Sequence, residues 1–268
     1  MTELNPTQQQ KRLNILCLGD SCIDSYQFGN VKRISPEAPV PVFEPTEKIV
    51  SQGMVTNVVN NFLKLGVTTC CLSGQDYSVK KRFIDSATKK HIMRLDENKI
   101  SDPIKFETVV RNLELMEQVD AIVISDYDKG SISDELLTDL RFHLPNELHC
   151  PVFIDTKKKD LAIFDDWFVK INKREFDSVT STCKNLIVTL GEKGTLVWND
   201  TKTIPTKKVD VVDVCGAGDT YLAAFTYKYL LTKDVYESVN FAHKAAAVTV
   251  QKIGVYAPTL EEINVHNW

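Results

Sequence analysis

The segment Asp213–Asp219 reads DVCGAGD and is followed by TYLAAF, an apolar pattern with several small residues, at Thr220–Phe225. Gly216 and Gly218 carry no Cβ, so the backbone at these positions can approach a ligand closely. Their N–H groups precede a predicted helix, and the free donors and partial positive charge of a helix N-terminus favour an anion such as a phosphoryl group. Asp219 would stand beside that anion and could accept a proton from an attacking hydroxyl. The alternative is a glycine-rich turn in which Asp219 caps the helix.

Outward from this segment, short apolar runs alternate with longer helical patterns. The runs predicted to be strands are Asn14–Leu18, Thr68–Leu72, Ala121–Ser125, Val152–Asp155, Asn185–Leu190 and Thr195–Trp198. The predicted helices are Asn57–Leu65, Asp134–Leu144, Asp219–Leu231 and Glu237–Val250. Strands separated by helices at this spacing indicate a three-layer α/β fold with a mostly parallel central sheet.

Two regions do not fit that alternation. Val40–Phe43 is flanked by prolines, which sheets tolerate at their edges. Lys80–Asp85 and His91–Asp96 alternate polar and apolar residues, which is typical of strands with one wet face, and residues 86–90 join them. The sequence therefore predicts a small antiparallel β lid, near residues 30–50 and 79–97, on a single domain that spans residues 1–268.

Composition narrows the classes of function. The 268 residues include 32 Lys and Arg against 36 Asp and Glu, which gives a net charge of −4. A dedicated nucleic-acid binder usually carries a basic surface, so we expect no nucleic-acid partner. No apolar run approaches the roughly 18 residues of a membrane span, and the N-terminus lacks the apolar core of a signal peptide. The seven cysteines show no CxxC spacing, which favours reduced thiols in the cytoplasm over disulfides or a zinc site.

Five stretches together resemble the PfkB/ribokinase family of carbohydrate kinases. DVCGAGD is similar to the signature of that family. The others are Gly19–Asp24, Gly53–Asn57, Asn172–Glu175 (NKRE) and Val188–Gly194 (VTLGEKG). They resemble, in that order, the family's opening strand with its sugar-binding aspartate, its substrate motif, its N-x-x-E motif and the strand and turn beside the nucleotide. The resemblance implies a ribokinase-like fold that uses ATP and Mg²⁺.

The resemblance also implies roles for the matching residues. Asp219 would be the general base, beside an anion hole formed by Gly216, Ala217 and Gly218. The residues implied to bind the nucleotide are Asn172, Lys173, Arg174, Glu175, Thr189, Gly191, Gly194 and Asp213. Of these, Asn172 and Glu175 would hold Mg²⁺ directly or through water. The residues implied to bind the sugar are Asp24, Gly53, Asn57, Lys129, Asp155 and Lys157. Polar turns, helix caps and solvated loops are the alternatives.

Three further stretches are similar to one branch of the family, the kinases that phosphorylate D-glycero-D-manno-heptose 7-phosphate at its anomeric carbon in ADP-heptose synthesis. They are Arg33–Val42 (RISPEAPVPV), Ser125–Gly130 (SDYDKG) and Ile154–Lys157 (IDTK). RISPEAPVPV is long enough that chance is a poor explanation. The hypothesis is a kinase that makes the 1,7-bisphosphate. Another sugar or nucleoside kinase, and a weakly catalytic nucleotide-binding scaffold, are the alternatives.

The lid carries basic residues that could meet the phosphate of the sugar. They are Arg33, Lys80, Lys81 and Arg82, for which a solvated face is the alternative. A lid excludes water, which matters because ATP hydrolysis competes with transfer. Because such lids pair across a dimer in related kinases, we expect a homodimer through the β lid, with a sugar phosphate and ATP as small-molecule partners.

Two positions depart from the family pattern. Met54 replaces the second glycine of the substrate motif, and we expect this to remove both the close approach of a sugar and a positive φ. Gly74–Asp76 runs almost directly into Tyr77–Lys80, where the family has a further helix and strand. Their loss predicts a shortened, partly exposed sheet edge.

Overall fold

The structure is a computed structural model and describes residues 12–116, 118–143 and 150–265. Its strands are β1 Asn14–Gly19, β2 Ser21–Ile34, β3 Pro41–Met54, β4 Thr68–Ser73, β5 Ser78–Asp85, β6 His91–Glu97, β7 Ala121–Ser125, β8 Val152–Asp155, β9 Phe168–Asn172, β10 Asn185–Thr189, β11 Thr195–Val197 and β12 Lys202–Ile204. Its α-helices are α1 Val55–Lys64, α2 Phe106–Leu115, α3 Asp134–His143, α4 Lys173–Phe176, α5 Ala217–Thr232, α6 Val235–Val250 and α7 Leu260–Val265.

The central sheet has eight strands in the order β12-β11-β10-β9-β8-β7-β1-β4. Every pairing from β10 to β4 is parallel, whereas β10, β11 and β12 are joined by antiparallel pairings. The inner parallel strands are almost wholly buried, as β1 and β7 show, because helices cover both faces of such a sheet. The prediction of a mostly parallel central sheet is confirmed.

Helices pack on both faces of this sheet and create two separate cores. On one face, α1, α5 and α6 bury residues such as Phe62, Leu222 and Val239. On the other face, α2 and α3 bury residues such as Val109 and Leu137. Successive residues of one strand point to opposite faces, so each strand contributes to both cores. The three-layer α/β prediction is therefore confirmed.

A second, four-stranded sheet has the order β3-β2-β5-β6, and we call it the small sheet. The predicted hairpin is present as β5 and β6, which pair antiparallel, and the proline-flanked segment lies in β3 at one edge. β3 and β2 are also antiparallel, whereas β2 and β5 run parallel. The long strand β2 escaped the sequence patterns because Ser, Gln, Gly and Asn interrupt its apolar residues. Tyr26, Phe28 and Ile84 form a small apolar cluster on one face.

Other differences from the sequence patterns are local. The helix α2 and the strands β9 and β12 were not predicted, and the predicted end of α3, Leu144, lies outside the described residues. β4 is the last strand at one end of the central sheet. Its side chains are half-buried or exposed along the whole strand, so this sheet edge is partly exposed. Within the described ranges, no helix has the length and apolar character needed to cross a bilayer.

Candidate active site

The carboxyl ends of the parallel strands bring the predicted site residues to one edge of the central sheet. β8 ends at Asp155, β9 at Asn172 and β10 at Thr189. Adjacent parallel strands end on the same side, and open α/β sheets bind ligands there. The N-terminus of α5, with Asp219 in its first turn, meets the same edge, because a Cβ on Gly218 would lie 2.9 Å from Lys170 Nζ of β9.

Asp219 is buried, and each of its carboxylate oxygens accepts one hydrogen bond from a neutral group. Asn57 Nδ2 donates to Oδ2 at 2.8 Å, and the Tyr127 hydroxyl donates to Oδ1 at 2.8 Å. Burial raises the pKa of Asp219 to about 6, although these two donors oppose the shift. Asp219 forms no salt bridge with any residue that the structure describes, and a carboxylate of this kind with a pKa close to neutral is suited to take up a proton.

The glycines of DVCGAGD form a close-fitting cradle in front of α5. Gly216 precedes the helix with a φ of 76°, a left-handed conformation that glycine adopts without strain. A Cβ at Gly216 would lie 2.8 Å from Asn57 Nδ2, the group that donates to Asp219. Because α5 is 16 residues long, its first N–H groups carry the full effect of a helix N-terminus on an anion.

Lys170, which the sequence reasoning missed, supplies a positive charge beneath this cradle. Its ammonium forms a buried salt bridge of 2.7 Å with Asp155. Burial lowers the pKa of Lys170, but the Asp155 carboxylate outweighs it and holds the pKa above the ordinary lysine value. The lysine is therefore charged. The signal that could have revealed it is a single lysine inside the apolar strand FVKIN.

Tyr127 is the second residue that the sequence reasoning left without a role. Besides its hydrogen bond to Asp219, its ring centroid lies 5.3 Å from Lys80 Nζ and 5.1 Å from Lys157 Nζ. Its backbone N–H donates to the buried Asp20 carboxylate at 2.8 Å. Tyr127 thus connects the small sheet, Asp219 and the segment after β8. Only its place in the SDYDKG stretch had drawn attention to it.

A cavity of about 500 Å³ lies on the other side of the cradle. Four groups of residues line it: the end of β10 and the following turn, residues 206–211, the start of α5 and one face of α6. The predicted nucleotide residues among them are Thr189, Gly191 and Gly194, joined by Ala217 and Gly218 of the cradle. Val211 and Val214 line it as well, although 59% and 69% of their surfaces are exposed. The cavity is mostly apolar and has some polar lining residues, as is typical of small-molecule sites.

Asn172 and Glu175 bind each other across the first turn of α4. Asn172 Oδ1 accepts from the Glu175 N–H at 3.0 Å, and Glu175 Oε2 accepts from the Asn172 N–H at 2.8 Å. Glu175 Oε1 pairs with Lys157. Of the other two residues of NKRE, Lys173 pairs with Asp177 of the same segment and both Lys173 and Arg174 are exposed. The structure therefore brings Glu175 and Lys157 together and leaves Lys173 and Arg174 at the surface.

Whether Mg²⁺ fits here depends on the available oxygen atoms. Among the described residues, no three His, Cys, Asp or Glu side chains form a cluster that could hold a metal ion. Mg²⁺ keeps several waters and needs few carboxylates when phosphate oxygens complete its shell. Asp155 Oδ1 is buried and has no hydrogen-bond partner among the described residues, so this oxygen near the cradle can accept from water or face a cation. The residues fit a metal ion held mainly by nucleotide phosphates and water.

Three of the predicted sugar-binding residues, Asp24, Gly53 and Asn57, lie at the junction between the small sheet and α1. Asp24 of β2 is buried and forms a salt bridge with Arg82 of β5, whose other terminal nitrogen lies 3.3 Å from Cys215 Sγ. A Cβ on Gly53 would come within 2.2 Å of Asp24 Oδ2, so only glycine fits there. Arg82 consequently connects the small sheet to the loop before the cradle.

Met54 corrects one expectation. A positive φ at this position was expected to be lost without glycine, but Met54 has φ 57° and ψ −131° and is only 3% exposed. Hydrogen bonds on both sides fix the turn, because Met54 pairs with Ser21 in the small sheet and the Val55 N–H donates to the Asp20 carbonyl at 3.0 Å. The backbone therefore keeps a conformation that L-residues rarely adopt.

The remaining predicted residues have structural contacts near the site. The Lys129 N–H donates to Asp20 Oδ2 at 3.1 Å. Asp213 accepts from the Cys215 and Gly254 N–H groups, each at 2.9 Å. Asp213 thus ties the loop before the cradle to the segment after α6, and it is not among the residues that line the cavity.

Comparison with known proteins gives consistent matches. The description "pfkB family carbohydrate kinase" matches residues 58–263. The chain is 30% identical to the Bifunctional protein HldE of Aliarcobacter butzleri, over 94% of this chain and 64% of that protein. The chain thus spans somewhat under two thirds of the length of this curated relative.

Solved structures show the same fold at lower identity. A ribokinase from Thermotoga maritima aligns with a TM-score of 0.65 and 19% identity, over 95% of this chain and 99% of that one. Phosphofructokinase-2 from Escherichia coli, in complex with potassium, aligns with a TM-score of 0.72 and 17% identity, over 95% and 97% of the two chains. Both have the mostly parallel sheet with a smaller second sheet that is seen here.

Proposed function

The chain belongs to the pfkB family of carbohydrate kinases, and from that premise we propose that it phosphorylates D-glycero-D-manno-heptose 7-phosphate at the anomeric O1, using ATP. The observation that carries the kinase chemistry is the buried Asp219 carboxylate in the first turn of α5, next to Ala217 and Gly218, which line the 500 Å³ cavity. The stretches RISPEAPVPV and SDYDKG, together with the HldE relative, support the heptose phosphate as acceptor.

In this proposal Asp219 acts as the general base. The anomeric oxygen forms a bond to the γ-phosphorus while the bond from that phosphorus to the bridging oxygen of ADP breaks, and the hydroxyl proton passes to the Asp219 carboxylate. Asn57 and Tyr127 each donate one hydrogen bond to this carboxylate. General base catalysis of this kind contributes roughly 10²- to 10⁴-fold in rate.

The cradle and Lys170 stabilise the charge on the migrating phosphoryl group. In phosphoryl transfer a protein contributes mainly by positioning the reacting groups and by compensating their charge. The Gly216 and Gly218 N–H groups supply donors at the start of α5, whereas the Ala217 N–H already donates to the Val214 carbonyl at 3.3 Å. Lys170 adds a fixed positive charge below them. Because the site is buried, these groups act more strongly than they would in water.

ATP would occupy the cavity with its phosphates towards the cradle. Val211, Val214 and Val250 offer apolar contacts for a purine, and Thr189 and Gly191 also line the cavity. Mg²⁺ would supply charge neutralisation on the phosphates. Glu175 would contact it through water, and Lys157, now paired with Glu175, would turn to phosphate oxygens.

The acceptor would lie between the small sheet and Asp219. Asp24 and Asn57 can accept and donate hydrogen bonds to sugar hydroxyls there, and Gly53 leaves room for them. Two cations of the small sheet lie beside this space, Lys80 over the Tyr127 ring and Arg82 paired with Asp24. They would compensate the acceptor's own phosphate.

We further assign the outer face of the small sheet to a homodimer. Asp24 and Tyr26 face the site, so the neighbouring Ser25 row, which includes Val50 and Leu95, points away from it. Val50 and Leu95 are 54% and 43% exposed. A second copy of this face would cover them and stiffen the sheet over the site. Light scattering at micromolar concentration tests this, and a monomer that is fully active would contradict it.

The experiment for the activity is a coupled assay of ADP release with a panel of acceptors. We expect turnover with the heptose 7-phosphate and little with fructose 6-phosphate, unphosphorylated sugars or nucleosides. Turnover with another sugar alone would keep the kinase and reject the heptose. Tight ATP binding without turnover of any acceptor would reject the enzyme and leave a nucleotide-binding scaffold.

A further inference from the structure

We propose that Tyr127 is the positioning residue of the base: its hydroxyl, with Asn57 on the other oxygen, holds the Asp219 carboxylate in a single orientation and keeps it charged for proton transfer. The two hydrogen bonds are each 2.8 Å long and reach different oxygens. The inference rests on the proposed role of Asp219 as base. It assigns a task to the tyrosine of SDYDKG, which the proposed mechanism otherwise uses only as a neighbour.

The structure fixes Tyr127 at both ends. Its backbone N–H donates to Asp20 Oδ2, and Asp20 Oδ1 accepts from the Ser131 N–H at 3.0 Å, so one buried carboxylate organises the turn after β7. Its ring lies near the ammonium groups of Lys80 and Lys157, which come from different elements. A side chain held this way has lost its freedom before the acceptor binds, so its hydroxyl is already aimed at the base.

The hydroxyl can act only as a neutral donor. Burial raises the pKa of Tyr127 well above the usual tyrosine value, and the Asp219 carboxylate adds to the shift. The phenol therefore stays protonated throughout the pH range of an assay. A donor that stays protonated stabilises the carboxylate form of Asp219 relative to the acid.

Other charged or titratable groups also face Asp219 and act in different directions. The Asp155 carboxylate on β8 raises its pKa and the Lys170 ammonium on β9 lowers it. The Cys22 thiol on β2 is close enough to sense Asp219, but its own pKa of about 12 keeps it neutral. Because Asp155 and Lys170 pair with each other, their effects largely cancel. Burial and the two neutral donors then have the largest effects on the pKa of Asp219, and Tyr127 is one of these two donors.

The first test measures the ionisation of Asp219 without any substrate. Aspartate labelled with ¹³C at Cγ is titrated by NMR in the full chain, and Asp219→Asn identifies the resonance. We expect Tyr127→Phe to raise the pKa of Asp219 by about one pH unit, the shift that corresponds to losing one hydrogen bond to a charged group. Tyr227→Phe is the matched control, because Tyr227 is buried on the helix that carries Asp219 and packs on Phe241, and it should cause no shift.

The second test strengthens the donor instead of removing it. Site-specific 3-fluorotyrosine at position 127 keeps the ring and the hydroxyl but makes the phenol more acidic. We expect it to lower the pKa of Asp219, in the direction opposite to Tyr127→Phe. Because this change is nearly isosteric, it still tests whether the Tyr127 hydroxyl affects the pKa of Asp219 if the Tyr127→Phe variant does not fold.

The pH profile separates positioning from a merely structural role. If the pKa rises by one unit from about 6, the ionised fraction of Asp219 in Tyr127→Phe falls roughly fivefold at pH 6 and roughly twofold at pH 7, with no change at pH 9. We expect kcat/KM to follow these factors with KM for ATP unchanged. A loss that is equal at every pH would overturn the proposal.

The two readouts keep this inference apart from the proposed function. An Asp219 pKa that is the same in the unmodified protein, Tyr127→Phe and the fluorotyrosine form overturns the role of Tyr127, whatever the activity. Opposite pKa shifts in a protein that turns over no acceptor support the contact and reject the kinase proposal instead.

Discussion

The loop before α5 and the small sheet face the same site, but they are stabilised in different ways. The loop sits on the central core, where backbone N–H groups, Asn57 and Tyr127 surround Asp219. Among the described residues, the small sheet contacts the site through the buried ion pair of Asp24 with Arg82 and through Lys80 beside Tyr127, and it leaves apolar residues exposed on its other face. In the proposed mechanism, phosphoryl transfer therefore depends on the loop and the central core. The choice of acceptor depends on the small sheet.

The largest effect is expected for the Asp219→Asn variant, which tests the loop before α5. An amide cannot take up the acceptor's proton, so we expect kcat to fall by about 10³-fold while ATP affinity changes little. ADP release measures the first quantity and calorimetry the second. Asp166→Asn, at an exposed position, is the control and should behave as the parent protein. A variant with full activity would remove the base from the core loop.

Arg82→Met tests the small sheet. It leaves the Asp24 carboxylate buried without its partner, and the loss of one member of a buried pair costs about 3–5 kcal/mol of unfolding free energy. Urea denaturation measures this loss of unfolding free energy. Arg94→Met is the matched control, because Arg94 is the register neighbour of Arg82 but pairs with Asp96 at the surface, where such pairs contribute about 0–1 kcal/mol. Equal costs for the two variants would contradict the view that one ion pair anchors this sheet.

Gly218→Ala adds only a methyl group to the cradle. Its Cβ would lie 2.9 Å from Lys170 Nζ, so either the lysine or the loop must shift. Misplacement of this order reduces catalysis by roughly ten- to a hundredfold, whereas alanine favours the helix and should preserve the melting temperature. Kinetics and thermal unfolding together check this. Unchanged kinetics would mean that the cradle does not approach the phosphoryl group.

The sequence predicted the loop before α5 better than it predicted the small sheet. DVCGAGD is a local signal, because its glycines, its helix and its carboxylate are consecutive, and the structure places them together as expected. The sequence reasoning did not assign Lys170 and Tyr127 to the site. Their partners Asp155 and Asp219 lie on other strands or helices and meet them only after folding. The salt bridge of Asp24 with Arg82 was missed for the same reason: β2 was not predicted, so its register with β5 was unknown.

The smallest test concerns Met54, where the core and the small sheet join. Its φ of 57° imposes strain that glycine would not have, of order 1–3 kcal/mol. Because Met54→Gly also removes a buried side chain, the informative comparison is with Met54→Ala, which removes nearly the same atoms and keeps the strain. We expect the Met54→Gly variant to be about 1 kcal/mol more stable than Met54→Ala, the reverse of the usual order. Urea denaturation measures the difference.

Asn60 provides the matched pair, because it is exposed on α1, a few residues further along the same helix. There the Gly variant should be less stable than the Ala variant by about 1 kcal/mol, as in any helix interior. If both positions show the same order, Met54 carries no strain, and the turn between the two regions is relaxed. If the order reverses only at Met54, that turn is held by its hydrogen bonds to Ser21 and Asp20 against the preference of its own residue, which ties the small sheet to α1 beside Asn57 and the base.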